Sequence, residues 1–298
     1  MAGKDKLRKQ TTGTVIKIED LIPMFIGMVL SLSLGLTIWK GFFFVFIPIG
    51  ASISLGVFIN KYKPYMGRKI SLTIIALVLL LFLGVYQHEN LQIEETVIYF
   101  AYFLSTGIFT RVLIHYSIAK VFGPLLFGRG FCGWGCYTAA LLEWLPINKN
   151  KKIPKKYTYI KYPVLILSLL IPFILVVNGY DYINKHIELP KTDQFLWFLV
   201  GNMIYYVVGI LLAILFKKRR AFCKIWCPVS LIMKLPTRIS IVKISPTGNK
   251  CIECGKCNNV CPMDVDVKKY IRNKKKVLSS ECILCGECSK ICPEKAIK

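Results

Sequence analysis

Six long apolar runs constrain the fold of this chain more than any other feature. Each approaches the twenty or so residues that a helix needs to cross the ~30 Å hydrocarbon core of a bilayer. The runs are continuous rather than alternating, which favours helices over β-strands. The predicted spans are Leu21 to Trp39, Gly41 to Ile59, Ile70 to Tyr86, Thr96 to Tyr116, Pro163 to Val177 and Phe195 to Phe216. The sequence therefore predicts an α-helical integral membrane protein with about six transmembrane helices.

Basic residues predict how these spans are oriented. The chain has 40 Lys and Arg against 16 Asp and Glu, a formal net charge of +24. The basic residues concentrate in segments 1–20, 61–69, 120–161 and 217–220 and are sparse in the alternate connections. Cytoplasmic loops carry such an excess, so both termini are predicted to lie in the cytoplasm of a cell whose inner membrane holds the protein. No nucleic-acid recognition motif accompanies the charge, and membrane lipid is the expected partner.

Eight of the twelve cysteines form two runs near the C-terminus. Each run reads C-x-x-C-x-x-C-x-x-x-C-P, which is the spacing of bacterial two-cluster ferredoxins. In that pattern three cysteines of one run bind one cluster and the fourth binds the other. The predicted ligand sets are Cys251, Cys254, Cys257 and Cys292 for one [4Fe-4S] cluster, and Cys282, Cys285, Cys288 and Cys261 for the second. Structural zinc sites use two cysteine pairs rather than two such runs.

The segment from Ile244 to Lys298 resembles bacterial ferredoxins along its whole length. This resemblance implies an α+β two-cluster ferredoxin-like domain that transfers one electron at a time. The predicted organisation is a cytoplasmic basic segment over residues 1–20, a six-helix membrane domain over 21–243 and the ferredoxin-like domain over 244–298. A reducing compartment disfavours structural disulfides here.

The other four cysteines lie in two similar stretches that follow apolar runs. RGFCGWGCYTAALLEWLP covers residues 129–146 and RAFCKIWCPVSLIMKLP covers 220–236, and we call these stretches the elbows. Neither contains the C-x-x-C-H motif of c-type haem. Cysteines four apart on a helix lie too far apart for a good disulfide but face the same way as metal ligands.

The elbow cysteines are therefore candidates for one further metal centre. Together they supply four thiolates, enough for a third iron–sulfur cluster. Arg129, Arg220 and Lys224 are expected to stabilise their negative charge. The alternative is that the four thiols only pack as small apolar side chains. The elbow cysteines are Cys132, Cys136, Cys223 and Cys227.

From about Thr96 to Lys298 the chain resembles a family of membrane polyferredoxins. The family includes those accompanying periplasmic nitrate reductase, the membrane region of the nitrous-oxide-reductase-associated flavoprotein and the copper-reducing assembly factor of cbb-type oxidases. Its members share two C-x-x-x-C-P elbows and a cytoplasmic two-cluster ferredoxin. Cys223, Cys227 and Pro228 match the full motif, whereas Tyr137 stands where the family usually has proline.

A histidine and an arginine in the fourth predicted span form a candidate quinone site. Arg111 and His115 are four residues apart and share one helical face, which we expect near the cytoplasmic end of the span. The alternative is an arginine that reaches the interface beside a packed histidine. A bis-histidine haem is disfavoured because the other two histidines, His88 and His186, fall in predicted outer loops.

These features predict a membrane-anchored iron–sulfur electron-transfer protein. It would pass single electrons between a soluble cytoplasmic donor or acceptor and either the quinone pool or a membrane redox partner. A component of an oxidoreductase system is expected rather than a stand-alone enzyme, and no catalytic residue is assigned. Two alternatives are a metal or small-molecule reductase acting at the elbow cysteines and an iron–sulfur redox sensor. The sequence has neither G-x-G-x-x-G nor a Walker A run for a nucleotide.

Overall fold

The computed structural model describes residues 18–63, 65–147, 150–179 and 192–298. Most of the predicted basic N-terminal segment lies outside the described residues. So does the part of the loop before the last span that contains Lys185, His186 and Lys191. Within the described residues, five helices are long and apolar enough to cross a membrane.

The membrane part of the chain consists of thirteen named α-helices within the described residues. They are α1 (Ile18–Thr37), α2 (Phe42–Tyr62), α3 (Met66–Leu77), α4 (Ile93–Thr106), α5 (Arg111–Ser117), α6 (Gly123–Phe127), α7 (Gly130–Trp134), α8 (Tyr137–Glu143), α9 (Lys161–Val177), α10 (Thr192–Leu215), α11 (Ala221–Ile225), α12 (Val229–Ile232) and α13 (Lys234–Arg238). Helix α3 continues as the π-helix Val78–Tyr86, the π-helix Ile118–Phe122 joins α5 to α6, and a 3₁₀ turn, Lys155–Tyr159, precedes α9.

The fourth predicted span, Thr96 to Tyr116, is wrong as a single helix. Helix α4 ends at Thr106, where Gly107 adopts a left-handed φ of 73° and donates its N–H to the carbonyl of Phe103 at 2.8 Å. Glycine commonly ends helices this way because it has no Cβ to clash. The next helical stretch begins at Arg111 and continues to Phe127. At 1.5 Å per residue it is about 25 Å long.

Pro124 does not end the helical stretch that begins at Arg111. It is the second residue of α6, although proline inside a helix removes one backbone N–H donor. The π-helical turn directly before it, Ile118–Phe122, widens the helix without ending it. The chain therefore turns at Gly107, and it remains helical through Pro124.

Glycines set the close packing of the first three helices. An ideal Cβ on Gly50 of α2 would lie 2.5 Å from the carbonyl oxygen of Pro23 in α1. One on Gly67 of α3 would lie 2.0 Å from the carbonyl oxygen of Gly56 in α2. Small residues at helix crossings let backbones approach in a membrane, where packing replaces the hydrophobic effect. The crossings of α2 with α1 and α3 thus depend on backbone contact.

The C-terminal domain contains α14 (Lys256–Val260), α15 (Val267–Arg272) and α16 (Glu287–Ile291). The predicted β component is not found as strands in the described part of the chain. It is reduced to an isolated antiparallel bridge between Pro246 and Ile297. Next to this bridge Ser245 and Lys298 exchange two backbone hydrogen bonds of 2.8 Å. The domain is mostly loop because most of its short length consists of eight cysteines and the turns that position them.

Replacing Gly50 with valine should loosen the packing of α1 on α2. The new side chain would meet the backbone of Pro23, and overpacking typically costs about 1–3 kcal/mol. Thermal unfolding in detergent should show a midpoint several degrees lower than that of the unaltered protein. Ser33→Ala, an exposed position on α1, is the control and should unfold like the unaltered protein. Equal midpoints for the two variants would contradict the tight crossing.

Candidate iron–sulfur sites

Two cavities in the C-terminal domain are each lined by four cysteines. The proximal cavity encloses about 360 Å³ and its cysteines are Cys261, Cys282, Cys285 and Cys288. The distal cavity encloses about 370 Å³ and its cysteines are Cys251, Cys254, Cys257 and Cys292. In each cavity three cysteines come from one run and the fourth comes from the other. These groupings are the two ligand sets that the ferredoxin spacing predicts.

The backbone of both runs is shaped in the same way. Gly255 and Gly286 follow the second cysteine of each run with φ angles of 73° and 74°, and each caps a short helix that carries the third cysteine. Glycine is suited to this left-handed conformation. The fourth cysteines also share a feature: Val265 donates its N–H to Cys261 Sγ at 3.4 Å and Ala296 donates to Cys292 Sγ at 3.3 Å. Such bonds stabilise thiolate sulfur and tune a cluster that it binds.

The two cavities fit a thiolate-bound cluster better than a single ion. In the described ranges, no three His, Cys, Asp or Glu side chains lie close enough to share one metal ion. The cysteines instead surround a volume, which the proximal cavity closes with apolar residues such as Met263 and Val277. Burial raises the pKa of Cys285 to about 12. A thiol in that state becomes a thiolate when a metal replaces its proton.

The elbows repeat one backbone geometry. Arg129 and Arg220 precede α7 and α11 with similar dihedral angles, φ −82° and ψ 26° against φ −98° and ψ 20°. Cys132 and Cys223 lie inside these helices, which end two residues before the second cysteine of each pair. The expected placement of each pair on one continuous helical face is therefore wrong. The second cysteine instead directly precedes the α8 helix in one elbow and Pro228 in the other.

The structure brings the four elbow thiols together. Burial raises the pKa of Cys223 to about 11, and the nearby Cys136 and Cys132 raise it further. The pKa of Cys227 is raised by burial and by the other three elbow cysteines. Tyr137 does not displace Cys136 from this group. It occupies the first position of α8, where the N–H that proline lacks has no helical partner anyway.

Three buried cations lie around the elbow thiols, and a fourth contacts the backbone of the first elbow. Arg129 and Arg220 are both 0% exposed and lie against Cys132 and Cys223. Arg220 donates to the carbonyl oxygen of Cys132 at 2.7 Å. Lys120 is buried within electrostatic range of three elbow thiols, with its Nζ 3.5 Å from the centre of the Phe131 ring. The fourth cation is Arg68, which donates to the carbonyl oxygen of Gly133 at 3.2 Å.

Glu143 holds two of these cations. It accepts hydrogen bonds from Arg220 Nε at 2.7 Å and from Arg68 Nη1 at 3.0 Å. These guanidinium groups lower the pKa of Glu143 to about 2 although burial opposes ionisation. The carboxylate is thus ionised at neutral pH and fixes the two arginines beside the elbow cysteines.

The elbow site fits an anionic group. Among the described residues, Nε and Nη2 of the buried Arg129 have no hydrogen-bond partner. Its third nitrogen, Nη1, pairs with Glu281, and a cluster held by four thiolates would supply negative charge beside the other two. The environment does not, however, include Lys224 as expected. Its ammonium pairs with Asp264 of the C-terminal domain at 2.5 Å.

The first elbow is packed directly on the loop that lines the proximal cavity. Trp134 donates its indole N–H to the carbonyl oxygen of Leu284 at 3.0 Å. An ideal Cβ on Gly133 would lie 2.0 Å from the carbonyl oxygen of Ile283, so glycine permits the contact. The elbow thiols and the proximal cavity are therefore adjacent, and the distal cavity lies beyond.

Three carboxylates of the C-terminal domain reinforce this contact. Each stands near a cysteine of the proximal cavity and pairs with basic residues from the membrane part. Glu281 pairs with Arg129 at 2.5 Å, Lys161 at 3.5 Å and Lys234 at 2.9 Å; Asp264 pairs with Lys218 and Lys224 at 2.5 Å; Glu287 pairs with Arg68 at 2.8 Å.

Arg111 and His115 lie at the end of the helices away from the elbows. Arg111 begins α5, stacks over the Trp39 ring at 4.6 Å and pairs with Glu89. His115 is buried one turn further along, 4.7 Å from the Phe42 ring. Trp39 and Phe42 mark the turn between α1 and α2, the end opposite Arg68. The position of Arg111 differs from the prediction because the helix ends at Thr106, the chain turns at Gly107, and a new helix begins at Arg111.

Sequence-family profiles match three parts of the chain. Residues 242–293 match a 4Fe-4S dicluster domain and include all eight cysteines of the two cavities. Residues 117–155 and 200–245 match a 4Fe-4S binding domain, so each elbow lies in one copy. The chain thus contains ferredoxin-type 4Fe-4S domains together with apolar helices long enough to cross a membrane, which supports iron–sulfur clusters and electron transfer.

Curated relatives agree with this class. The chain is 28% identical to an uncharacterised protein of Methanocaldococcus jannaschii over 61% of its own length and 85% of the relative's. It is 27% identical to the putative electron transport protein YccM of Escherichia coli over 52% of its length and 47% of the relative's. It is 26% identical to the methylamine utilization ferredoxin-type protein MauN of Paracoccus denitrificans over 50% of its length and 54% of the relative's. The last two relatives are thus matched over about half their length. No solved structure matches significantly.

Replacing Glu143 with glutamine should destabilise the protein. The change leaves Arg220 buried without its carboxylate, and breaking a buried pair costs about 3 kcal/mol or more. Because the pKa of Glu143 is lowered from 4.5 to about 2, its contribution is complete above about pH 4.5 and is lost as pH falls toward 2. Thermal midpoints should differ most at neutral pH and converge in acid. The exposed Glu294→Gln is the control, and a pH-independent difference would contradict this role.

Proposed function

We propose that this protein carries single electrons between a soluble cytoplasmic redox protein and the membrane quinone pool or a membrane redox partner. The observation that carries the proposal is the contact of the first elbow with the loop of the proximal cavity, through Trp134 on Leu284 and Gly133 on Ile283. The proximal and distal cavities are in turn linked because each takes cysteines from both runs. YccM is named as an electron transport protein, which supports a similar role here.

In this proposal Cys251, Cys254, Cys257 and Cys292 bind the distal [4Fe-4S] cluster, and Cys282, Cys285, Cys288 and Cys261 bind the proximal one. Cys132, Cys136, Cys223 and Cys227 bind a third iron–sulfur cluster at the elbows. Each cluster, when bound, supplies a centre that accepts and releases one electron. The cavities that these cysteines line and the unpaired nitrogens of Arg129 support the assignment.

The surrounding residues set the properties of each centre. The N–H groups of Val265 and Ala296 reach sulfur in the two cavities, while Arg129, Arg220 and Lys120 bring positive charge to the elbows. Hydrogen bonds and charge raise the potential at which a cluster accepts an electron. The protein thus holds the centres at fixed positions and tunes each by its environment.

The distal end is the proposed docking face for a soluble partner. Cys254 and Ile252 are exposed there. Residues 244–298 contain eleven Lys and Arg against six Asp and Glu, and three of these carboxylates are used against the membrane part. Lys256 and Lys268 line the distal cavity together with Glu253 and Glu294. A redox partner with an acidic surface would be attracted to this face.

The proposed orientation puts this domain in the cytoplasm and the chain in the inner membrane. Lys61, Arg68 and Lys217 lie at the helix ends nearest the C-terminal domain, and basic residues favour the cytoplasmic side. The opposite end has few. The elbow thiols Cys132 and Cys223 are buried, which favours a relay over a reductase that admits a soluble substrate.

Anaerobic purification with iron and sulfide counts and electron paramagnetic resonance (EPR) tests the assignment. Three [4Fe-4S] clusters would give about twelve irons, and two would give about eight. Cys132→Ser and Cys227→Ser should each remove only one signal and about four irons. Cys285→Ser should remove the proximal signal instead. Eight irons in the unaltered protein, unchanged in Cys132→Ser, would refute the elbow cluster.

Charge reversal at the distal cavity tests the docking face. Lys256→Glu combined with Lys268→Glu should slow reduction by an acidic soluble ferredoxin at least tenfold at low salt, because electrostatic steering is lost. The difference should vanish at 1 M salt, where screening acts within roughly 3 Å. Stopped-flow absorbance would follow the rate. The control is Lys151→Glu with Lys152→Glu, two exposed lysines away from the cavity. Equal slowing in both variants would argue against a specific face.

A further inference from the structure

We propose that the open groove between α9 and α10 binds the head group of a lipid-soluble quinone. The groove encloses about 1230 Å³ in the membrane-spanning part of the chain. Its walls are mostly apolar, with Leu167 and Ile171 on α9 and Val200 and Ile204 on α10. These side chains are about half exposed, so the groove opens toward lipid. The inference rests on the proposed electron-transfer function and names where its membrane carrier binds.

This apolar groove contains polar groups where the N-terminal end of α4, with Gln92 and Glu94, packs against α10. The Glu94 carboxylate accepts hydrogen bonds from Ser168 at 2.7 Å and from the Tyr205 hydroxyl at 3.1 Å. Gln92 is only 3% exposed, and its Oε1 accepts a hydrogen bond from Asn90 at 3.0 Å. Its Nε2 has no partner among the described residues. An unpaired buried amide donor is costly, and a ligand carbonyl would satisfy it.

The presence of both apolar walls and buried polar side chains in the groove favours a quinone over an ordinary lipid tail. An acyl chain would cover the apolar walls but would leave Gln92 unpaired and give Glu94 no function. A quinone has a flat ring with two carbonyl oxygens and an apolar tail. One carbonyl would accept from Gln92 Nε2, and the tail would lie along α9 and α10.

The groove also reaches the second elbow. Trp226 lines it and directly precedes Cys227. A ring in the groove would therefore be separated from the elbow thiols by little more than one side chain. Arg111 and His115, at the opposite end of the helices, have no such connection to the elbows.

Glu94 is placed to handle a proton. Reducing one quinone to its quinol takes two electrons and two protons, with one proton added to each carbonyl oxygen. In the proposed function the electrons come one at a time from the relay, which a soluble donor refills. Both protons come from solvent, and Glu94, which holds the Tyr205 and Ser168 hydroxyls, is the group in the groove that can take one up and pass it to a carbonyl oxygen of the ring. Quinol oxidation is the reverse.

Photolabelling tests the site directly. The full-length protein, purified anaerobically in phosphatidylcholine nanodiscs, is illuminated with a short-chain azido-quinone and the labelled peptides are identified by mass spectrometry. Labels are expected on α9 and α10. Leu167→Trp, which fills the groove, should reduce labelling at least tenfold. Leu170→Trp is the control, because Leu170 is similarly exposed on α9 (48% against 54%) but outside the groove.

A second variant tests the polar contact. Gln92→Leu keeps the size of the side chain and removes both amide donors, so the concentration of unlabelled quinone that competes for half the label should rise about tenfold. Equal labelling of the Leu167→Trp and Leu170→Trp proteins, or competition by a carbonyl-free alkyl analogue as good as by the quinone, would overturn the site. Labels confined to α5 would assign the quinone to Arg111 and His115 instead.

Cluster signals separate the two proposals. EPR of the same dithionite-reduced samples shows whether the clusters and the fold are intact in each variant. Intact clusters with no groove-specific label would overturn the quinone site and leave the electron-transfer proposal standing. Absence of reducible clusters in the unaltered protein would overturn the electron-transfer proposal, whatever the labelling result.

Discussion

Buried ion pairs between the membrane part and the C-terminal domain determine how the proximal cavity is oriented toward the elbow cysteines. Three carboxylates of the C-terminal domain lie near cysteines of the proximal cavity and pair with basic residues of the membrane part. They are Glu281, Asp264 and Glu287. Removing one member of a buried pair costs several kcal/mol because the other charge is then left in a low dielectric. Long-range charge alone would allow many orientations, whereas these pairs select one. The proximal cavity faces the elbows for this reason.

The same region concentrates positive charge around thiols. Arg129, Arg220, Arg68 and Lys120 are all at most 5% exposed. Glu143, Glu281 and Glu287 pair with the three arginines, whereas Lys120 lies beside three elbow thiols. Thiolates at the elbows would place negative charge next to Lys120 and next to the two unpaired nitrogens of Arg129. Burial raises the pKa values of Cys223 and Cys227, and the nearby arginines lower that of Cys223. A bound metal cluster would hold these thiols as thiolates in spite of their burial.

Sequence patterns predicted the parts of the site that depend on local spacing. The two cysteine runs gave their groupings because spacing within a loop limits which thiols can meet, and the elbow repeat identified Cys132 and Cys223 as a pair. Arg129 and Arg220 were predicted beside these cysteines and do lie against Cys132 and Cys223, but the other residues around the elbow thiols were missed. Glu143 is the only acidic residue of the first elbow, a signal that would have found it. Arg68 comes from α3, far away in the sequence, and Lys120 comes from the π-helix Ile118–Phe122 shortly before the first elbow. Neither carried such a signal. The turn at Gly107 was missed because Ile108 and Phe109 keep the apolar run unbroken, and Arg111 was consequently assigned to the wrong end of its helix.

The separation of the elbows along the chain has a consequence for assembly. Cys132 and Cys223 are joined through α9 and α10, two helices long enough to span a membrane. The four elbow thiols therefore meet only after this helical pair has inserted and folded back. Exchange of the fourth cysteine between the two runs imposes a similar order on the C-terminal domain, since neither cavity closes until both runs are present. Loading with iron and sulfide would then report that insertion has been completed, and a chain with α9 and α10 misplaced would lack the elbow group altogether.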